Sequence, residues 1–259
     1  MKKMILAASL LSLASLSAQA NERKFTDGYE ARETAAGTVE LEQWVTWKTN
    51  KRNKDSKFDR LDLRTEVEYS ITDKWRMALY YDSRYQDGRS VENDGLEFKD
   101  LAIESIYVLQ NATQEDLGIA LYGEVKHDFG DDGFDGDFSA LEFKLLLTKD
   151  IGDWTLNWNG IYEYEREGDG GEEEVDVLGQ TLGASYSFSP KFSLGLEALH
   201  EVEWEHHWEE RGENVVYLGP VAQVKFGEGY WMALSVKNEI TDVKGEAEWM
   251  SRMIFGISF

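Results

Sequence analysis

Apolar and polar residues alternate along most of the chain. In the last stretch every second residue is large or apolar, with one serine breaking the row: Trp249, Met253, Phe255, Ile257 and Phe259. A period of two is typical of a β-strand with one apolar and one polar face. The same alternation recurs upstream and predicts twelve strands in all, near residues 38–49, 58–71, 75–87, 96–109, 117–128, 138–149, 154–166, 175–188, 192–205, 215–226, 230–241 and 249–259.

The segments between these strands alternate in length. Short turns rich in Gly, Asn, Asp and Pro fall at residues 72–74, 111–116, 150–153, 189–191 and 227–229, and longer charged loops at 50–57, 88–95, 129–137, 167–174, 206–214 and 242–248. An even strand count with alternating short and long connections is typical of an antiparallel up-and-down transmembrane β-barrel. In such a barrel both termini lie in the periplasm. A soluble β-sandwich is the alternative, since it also alternates, but it does not require this ordering of turns or aromatic residues at both ends of its strands.

The start of the chain predicts export. Lys2 and Lys3 precede an apolar run over residues 4–16, and Ala18 and Ala20 form a small-x-small cleavage site. We therefore predict a signal peptide at residues 1–20, an N-terminal periplasmic tail at 21–37, and an outer-membrane barrel domain at 38–259. Residues 21–37 show no alternation, and a position inside the lumen is the alternative for them.

Composition narrows the possible partners. The formal net charge is −23, which repels phosphate groups and argues against nucleic acid. There is no Cys, so the fold does not depend on disulfides. After residue 20 no apolar run is long enough for a membrane helix, although 42% of the residues are hydrophobic. We expect a monomer in contact with outer-membrane lipid and lipopolysaccharide, without a cofactor.

The charged face of each strand is expected to line the barrel interior, because a charge facing lipid at mid-membrane is costly. Folding the hairpins predicts that Arg64 lies across from both Glu42 and Asp82, and that Asp62 lies across from Arg84. The far side of the wall is acidic and faces small residues of the eighth strand, with one base nearby. Its members are Glu163, Glu165, Glu197, Glu201, Glu203 and Lys225.

Two loops carry weaker candidates for metal sites. Asp131, Asp132, Asp135 and Asp137 offer the oxygen ligands that Ca²⁺ prefers, but their spacing is not that of an EF-hand, and a solvated acidic loop is the better interpretation. His206 and His207 lie among acids, yet adjacent His residues on a loop do not preset a tetrahedral zinc site. No Ser or His has a partner that predicts catalysis.

Residues 42–47, residues 66–75 and the terminal Phe together resemble the uncharacterised outer-membrane barrel families of Gram-negative bacteria. The resemblance implies that Phe255, Ile257 and Phe259 are recognised by the barrel-assembly machinery. The strand number is also similar to that of small monomeric channels for acidic oligosaccharides and for nucleosides. The acidic-sugar channels have a strongly basic lumen, which is not predicted here.

These patterns favour a narrow passive channel for small cationic or neutral solutes, because acids lining a constriction concentrate cations. Strand number alone does not decide whether the lumen is open. A non-conducting surface barrel whose acidic loops bind divalent cations is the alternative. An outer-membrane enzyme ranks third.

Overall fold

The computed structural model describes residues 22–89, 95–128, 139–167 and 173–259. Twelve strands run through them, and no helix in this part of the chain is long and apolar enough to cross a membrane. The strands are β1 (Val39–Lys51), β2 (Asp55–Thr72), β3 (Trp75–Asp87), β4 (Gly95–Gln110), β5 (Gly118–Asp128), β6 (Ala140–Ile151), β7 (Trp154–Glu167), β8 (Glu173–Ser189), β9 (Phe192–Glu205), β10 (Glu210–Lys225), β11 (Tyr230–Glu239) and β12 (Ala247–Ser258).

Each strand pairs antiparallel with its sequence neighbours, and β1 pairs with β12 to close the barrel. The predicted all-β barrel of twelve strands is confirmed. Val39 and Phe259 exchange backbone hydrogen bonds, so the first strand begins at the barrel end where the last strand finishes. We call this the short-turn end, and the opposite end the long-loop end.

The pairing register of neighbouring strands decides which side chains lie across from each other. Two of the three predicted ion pairs are confirmed by this register. Arg64 lies across from Asp82, and Asp62 lies across from Arg84. The predicted pairing of Arg64 with Glu42 is wrong, because Arg64 faces Trp44 on β1. A bulge explains the error: the ladder starts in the predicted register at the β1–β2 turn and then slips by two residues beside Asn50, whose φ is 60°.

The outward face is apolar around the barrel, as a lipid-facing surface requires. Its exposed apolar residues include Leu41, Val67, Leu79, Ile103, Leu121, Val125, Phe143, Leu145, Leu156, Leu182, Leu194, Leu196, Leu218, Leu234 and Val236. Exposed aromatic residues mark the short-turn end at Tyr69, Trp75, Tyr107, Trp154, Phe188, Phe192, Phe226 and Tyr230, and the long-loop end at Trp47, Tyr85 and Trp249. Amphipathic rings in these positions suit the two interfaces of a membrane.

The inward face differs between the two halves of the barrel. Toward the short-turn end it carries a buried apolar cluster that includes Ile106, Val108, Leu146, Trp231 and Ile254. Toward the long-loop end it is mostly charged. The N-terminal segment packs against the buried cluster, since its own Tyr29 and Ala31 belong to it.

Candidate functional site: the plugged lumen

Residues 22–37, which we call the plug, lie inside the barrel rather than in a free periplasmic tail. The segment starts at the short-turn end, where Glu22 forms an ion pair with Lys225 and Lys24 donates to Thr155 Oγ1 at 2.7 Å. It rises to a tip at residues 26–28 and returns to the short-turn end, where Gly37 N donates to the carbonyl of Ser70. The plug is therefore a loop with both ends at the same end of the barrel.

Glu197 on β9 anchors the tip. Its Oε1 accepts the backbone N–H groups of Asp27 at 2.8 Å and Gly28 at 3.0 Å. Its Oε2 accepts the N–H of Thr26, the Thr26 hydroxyl at 2.7 Å and Lys237 Nζ at 3.1 Å. Backbone donors in a buried segment need such acceptors, because an unpaired buried N–H is costly.

The tip carries a carboxylate of its own, Asp27, which also has partners. Asp27 forms ion pairs with Lys237 and Arg252, which lie on β11 and β12. Its contacts and those of Glu197 tie the tip to three strands of the wall. Both the acids and the bases are buried together, which is the arrangement a low-dielectric interior requires.

Phe25 fills the space beside the small residues of β8. Its ring is buried, and an added Cβ on Gly183 would lie 2.3 Å from Phe25 Cε1. Gly183 is thus required by close packing against the plug. The gap that the sequence places beside the acidic wall is where the plug enters.

Two asparagines of β7 hold the descending side of the plug. Asn157 and Asn159 each donate to the carbonyl of Tyr29, at 2.8 and 2.9 Å, and Asn159 Oδ1 accepts the Tyr29 N–H. Arg32 then forms a bidentate pair with Asp150, with N–O distances of 2.8 and 2.9 Å. The polar backbone of the plug is therefore paired with side chains of the wall.

Arg23 lies in an acidic and aromatic pocket on the other side of the lumen. Its Nη1 is 3.6 Å from Glu42 Oε2, and its guanidinium carbon is 3.8 Å from the Tyr29 ring centre and 4.5 Å from that of Trp44. Burial lowers the pKa of Arg23, but Tyr29, Glu42, Glu66 and Glu104 together raise it by more, so the pKa lies above its ordinary value. The side chain stays charged.

The wall behind the plug is rich in buried acids. The buried acids of this part of the wall that lie outside the cavity described below are Glu40, Glu42, Glu66, Glu68, Glu104 and Glu197. Arg76 pairs with Glu68 at 3.0 Å, and Lys237 pairs with Glu197. The plug adds Arg23 to this half of the lumen, where acids outnumber the bases of the wall.

A cavity of about 290 Å³, which we call the vestibule, lies between the plug and the long-loop end. Asp27 and Tyr29 of the plug form part of its lining. Its acids and bases are equal in number: Asp27, Asp62, Asp82, Asp100, Glu124, Glu142, Glu163 and Glu201 against Lys48, Arg60, Arg64, Arg84, Lys99, Lys126, Lys144 and Arg252. The vestibule is charged but balanced.

The residues predicted to line the lumen fall into four groups. Asp62, Arg64, Asp82, Arg84, Glu163 and Glu201 line the vestibule, while Glu42 and Glu197 contact the plug. Lys225 lies at the short-turn end. Glu165 and Glu203 lie on β7 and β9 toward the long-loop end and are not part of the vestibule lining.

No sequence pattern predicts the plug side chains that contact the wall, chiefly Arg23, Phe25, Thr26, Asp27 and Tyr29. One signal pointed to them: small residues on β8 opposite acids on β9 left space that the barrel itself does not fill. The segment has no periodicity, so no pattern placed its side chains.

The loop candidates for metal binding gain no support. Asp131, Asp132, Asp135 and Asp137 lie outside the described residues. His207 Nδ1 lies 2.9 Å from Asp176 Oδ2, and Trp208 stacks on Tyr162, so these residues tie the β9–β10 turn to the barrel.

The model of a family of unknown function, DUF6662, matches residues 17–252. The chain belongs to this family. No curated protein matches it significantly.

Solved structures with the same fold include the COG4313 outer membrane channel from Pseudomonas putida F1. It is 12% identical, with a TM-score of 0.66 over 91% of this chain and 100% of that one. The NanC porin is 11% identical, with a TM-score of 0.56 over 85% and 98% of the two chains. The β domain of the Bordetella autotransporter BrkA is 12% identical, with a TM-score of 0.53 over 86% and 100%. At these identities the likeness concerns the fold, which channels and an autotransporter share.

Proposed function

We propose that this member of the DUF6662 family is a narrow, passive outer-membrane channel for small cationic or neutral solutes, and that movement of the plug opens it. The observation that carries the proposal is the polar attachment of the plug to a wall of buried acids, with the vestibule beyond it. The channels among the similar folds support the outer-membrane location and the class of function.

The plug is attached in a way that permits release. Most of the described anchors of residues 24–32 join the plug to wall side chains, as at Glu197, Asn159 and Asp150, and do not extend the sheet. Water can replace such partners, whereas breaking a strand out of a closed barrel exposes a ladder of backbone groups. Movement of the plug therefore leaves the barrel intact.

Selectivity follows from the half of the lumen that the plug covers. The vestibule is balanced while Asp27 of the plug lines it and keeps seven acids against eight bases once the plug leaves, so it gives no preference for cations. Displacement of the plug removes Arg23 from the wall and leaves the buried acids facing water, with Arg76 and Lys237 as nearby bases. Like charges along a constriction attract cations and repel anions. The preference for cations thus belongs to the open state.

A reversible disulfide tests this function, because the chain has no Cys of its own. Thr26 Oγ1 and Ser235 Oγ are 2.7 Å apart, so Thr26→Cys with Ser235→Cys places two thiols within bonding reach. In planar bilayers under a KCl gradient we expect little conductance from the oxidised protein and cation-selective conductance after reduction. The single Thr26→Cys variant is the control and is insensitive to oxidation. Equal conductance of oxidised and reduced forms contradicts gating by the plug, and anion selectivity contradicts the proposed solutes.

The filled lumen favours one second candidate, a non-conducting surface barrel whose acidic loops bind divalent cations. It predicts no conductance from the reduced double-cysteine protein when this is folded. Freedom from enzymatic activity stays a prediction.

A further inference from the structure

Arg23 is a buried cation that contacts groups of the wall as well as the ring of Tyr29, its neighbour in the plug. It is 3% exposed, and its Nε and Nη2 atoms have no hydrogen-bond partner among the described residues. Its contacts with Glu42 and Trp44, both on β1, are electrostatic and aromatic. The guanidinium of Arg23 is thus buried with two nitrogens that donate no hydrogen bond, although carboxylate acceptors lie nearby.

Those acceptors lie on β2 and β4. Glu66 and Glu104 are both buried and both raise the pKa of Arg23, and Glu104 Oε2 also accepts the Tyr29 hydroxyl at 3.0 Å. Carboxylate oxygens of Glu66, Glu68 and Glu104 approach within 4.8 Å of one another, and Glu66 Oε2 has no hydrogen-bond partner among the described residues. Carboxylates this close repel one another unless a cation lies between them or one of them takes up a proton.

We call Glu42, Trp44, Glu66 and Glu104 the cage, and all four are fixed on strands of the barrel. Its chemistry suits a guanidinium better than an ammonium. A guanidinium is planar, stacks on an aromatic face and is weakly hydrated, whereas an ammonium is a compact and strongly hydrated charge. Several carboxylates around one plane also match its forked donors.

We propose that the cage is a binding site for small guanidinium-bearing cations, and that Arg23 occupies it as an internal ligand. A solute of this class then competes with Arg23 for the cage and favours the displaced plug. The second step rests on the proposed channel function, whereas binding at the cage does not.

Calorimetric titration of the detergent-purified Arg23→Ala protein with methylguanidinium chloride tests the site. We expect one saturable binding event, absent from the wild type because Arg23 fills the cage. Adding Glu66→Gln to Arg23→Ala weakens binding by about tenfold or more, since a charged acceptor is lost. Methylammonium chloride is the matched control ligand and binds more weakly by a similar factor. Equal binding of the two cations, or equal binding to both variants, overturns the proposal.

A second measurement keeps Arg23 in place and covers a failure of the Arg23→Ala protein to fold. In a Thr26→Cys protein, we expect methylguanidinium to increase the rate at which a thiol reagent modifies the cysteine several-fold, because the plug is displaced more often. The increase disappears in Thr26→Cys/Glu66→Gln. An unchanged rate in the first protein counts against the proposal. Binding without any conductance leaves the site standing and removes the channel, whereas conductance without binding does the reverse.

Discussion

At the scale of single residues, Glu197 concentrates more plug contacts than any other wall side chain described here. Its two oxygens accept five hydrogen bonds, four from the plug and one from Lys237. A carboxylate suits this position because it only accepts, and all of its partners donate. The alternation along β9 predicts that Glu197 points inward, but only the position of the plug shows that it is an anchor.

Glu197→Gln is expected to loosen the plug while keeping the side-chain shape. One amide oxygen replaces two carboxylate oxygens, and the amide nitrogen then faces a donor. The loss of charged hydrogen bonds at a buried site costs about 1–3 kcal/mol in the free energy of plug docking. Thiol modification of a Thr26→Cys background reports this as faster labelling of the cysteine. Glu203→Gln, near the long-loop end of the same strand, is the control. Equal labelling rates in the two variants would show that Glu197 does not anchor the plug.

At the scale of elements, the plug and β8 are complementary in shape. Phe25 occupies the volume that Gly183 leaves free. The Phe25 ring lies where the side chain of any residue other than glycine would begin. A single methyl group at position 183 is therefore enough to disturb the contact.

Gly183→Ala is expected to expel Phe25, since the new Cβ would lie 2.3 Å from the ring. Overpacking of this kind costs roughly 1–3 kcal/mol. Conductance in planar bilayers should rise, and the Phe25→Ala/Gly183→Ala protein should recover part of the closed state because the ring is gone. Gly123→Ala is the matched control, as an added Cβ at Gly123 meets nothing within 4 Å. No difference between the two alanine variants would show that the close packing of Phe25 on Gly183 does not keep the plug in place.

The strands and the plug differ in how far sequence predicts them. Strand faces follow from local alternation, so the inward position of Glu66 and the pairing of Arg64 with Asp82 are readable from hairpin geometry. The bulge beside Asn50 has no comparable signal, which is why the partner of Glu42 was mispredicted. Plug contacts join residues far apart in the chain, as between Tyr29 and Asn159 or Thr26 and Glu197, and depend on the barrel being closed. No local pattern encodes them.

At the scale of the whole molecule, the two ends of the barrel face different compartments if the protein spans a membrane. The short turns and the start of β1 share one end, and the β1–β2 turn lies at the other. Outer-membrane barrels place short turns in the periplasm. The same orientation is expected here.

Cysteine labelling of intact cells measures this orientation. Lys54 lies in the β1–β2 turn and Lys191 in the β8–β9 turn, and both are exposed. We expect a membrane-impermeant thiol reagent to modify Lys54→Cys on intact cells and Lys191→Cys only after the outer membrane is broken. The opposite result would invert the barrel and place the plug at the cell surface.

The loop path of the plug has a consequence for concentration. Since residues 22–37 are joined to β1 and need not thread through the barrel, Arg23 stays tethered within reach of the cage even after it leaves. A short flexible tether gives an effective concentration on the order of millimolar. A free solute of equal intrinsic affinity must therefore reach the millimolar range before it holds the cage half of the time. If the cage binds solutes as proposed, chain length rather than contact strength sets this threshold, and abundant solutes pass it whereas traces do not.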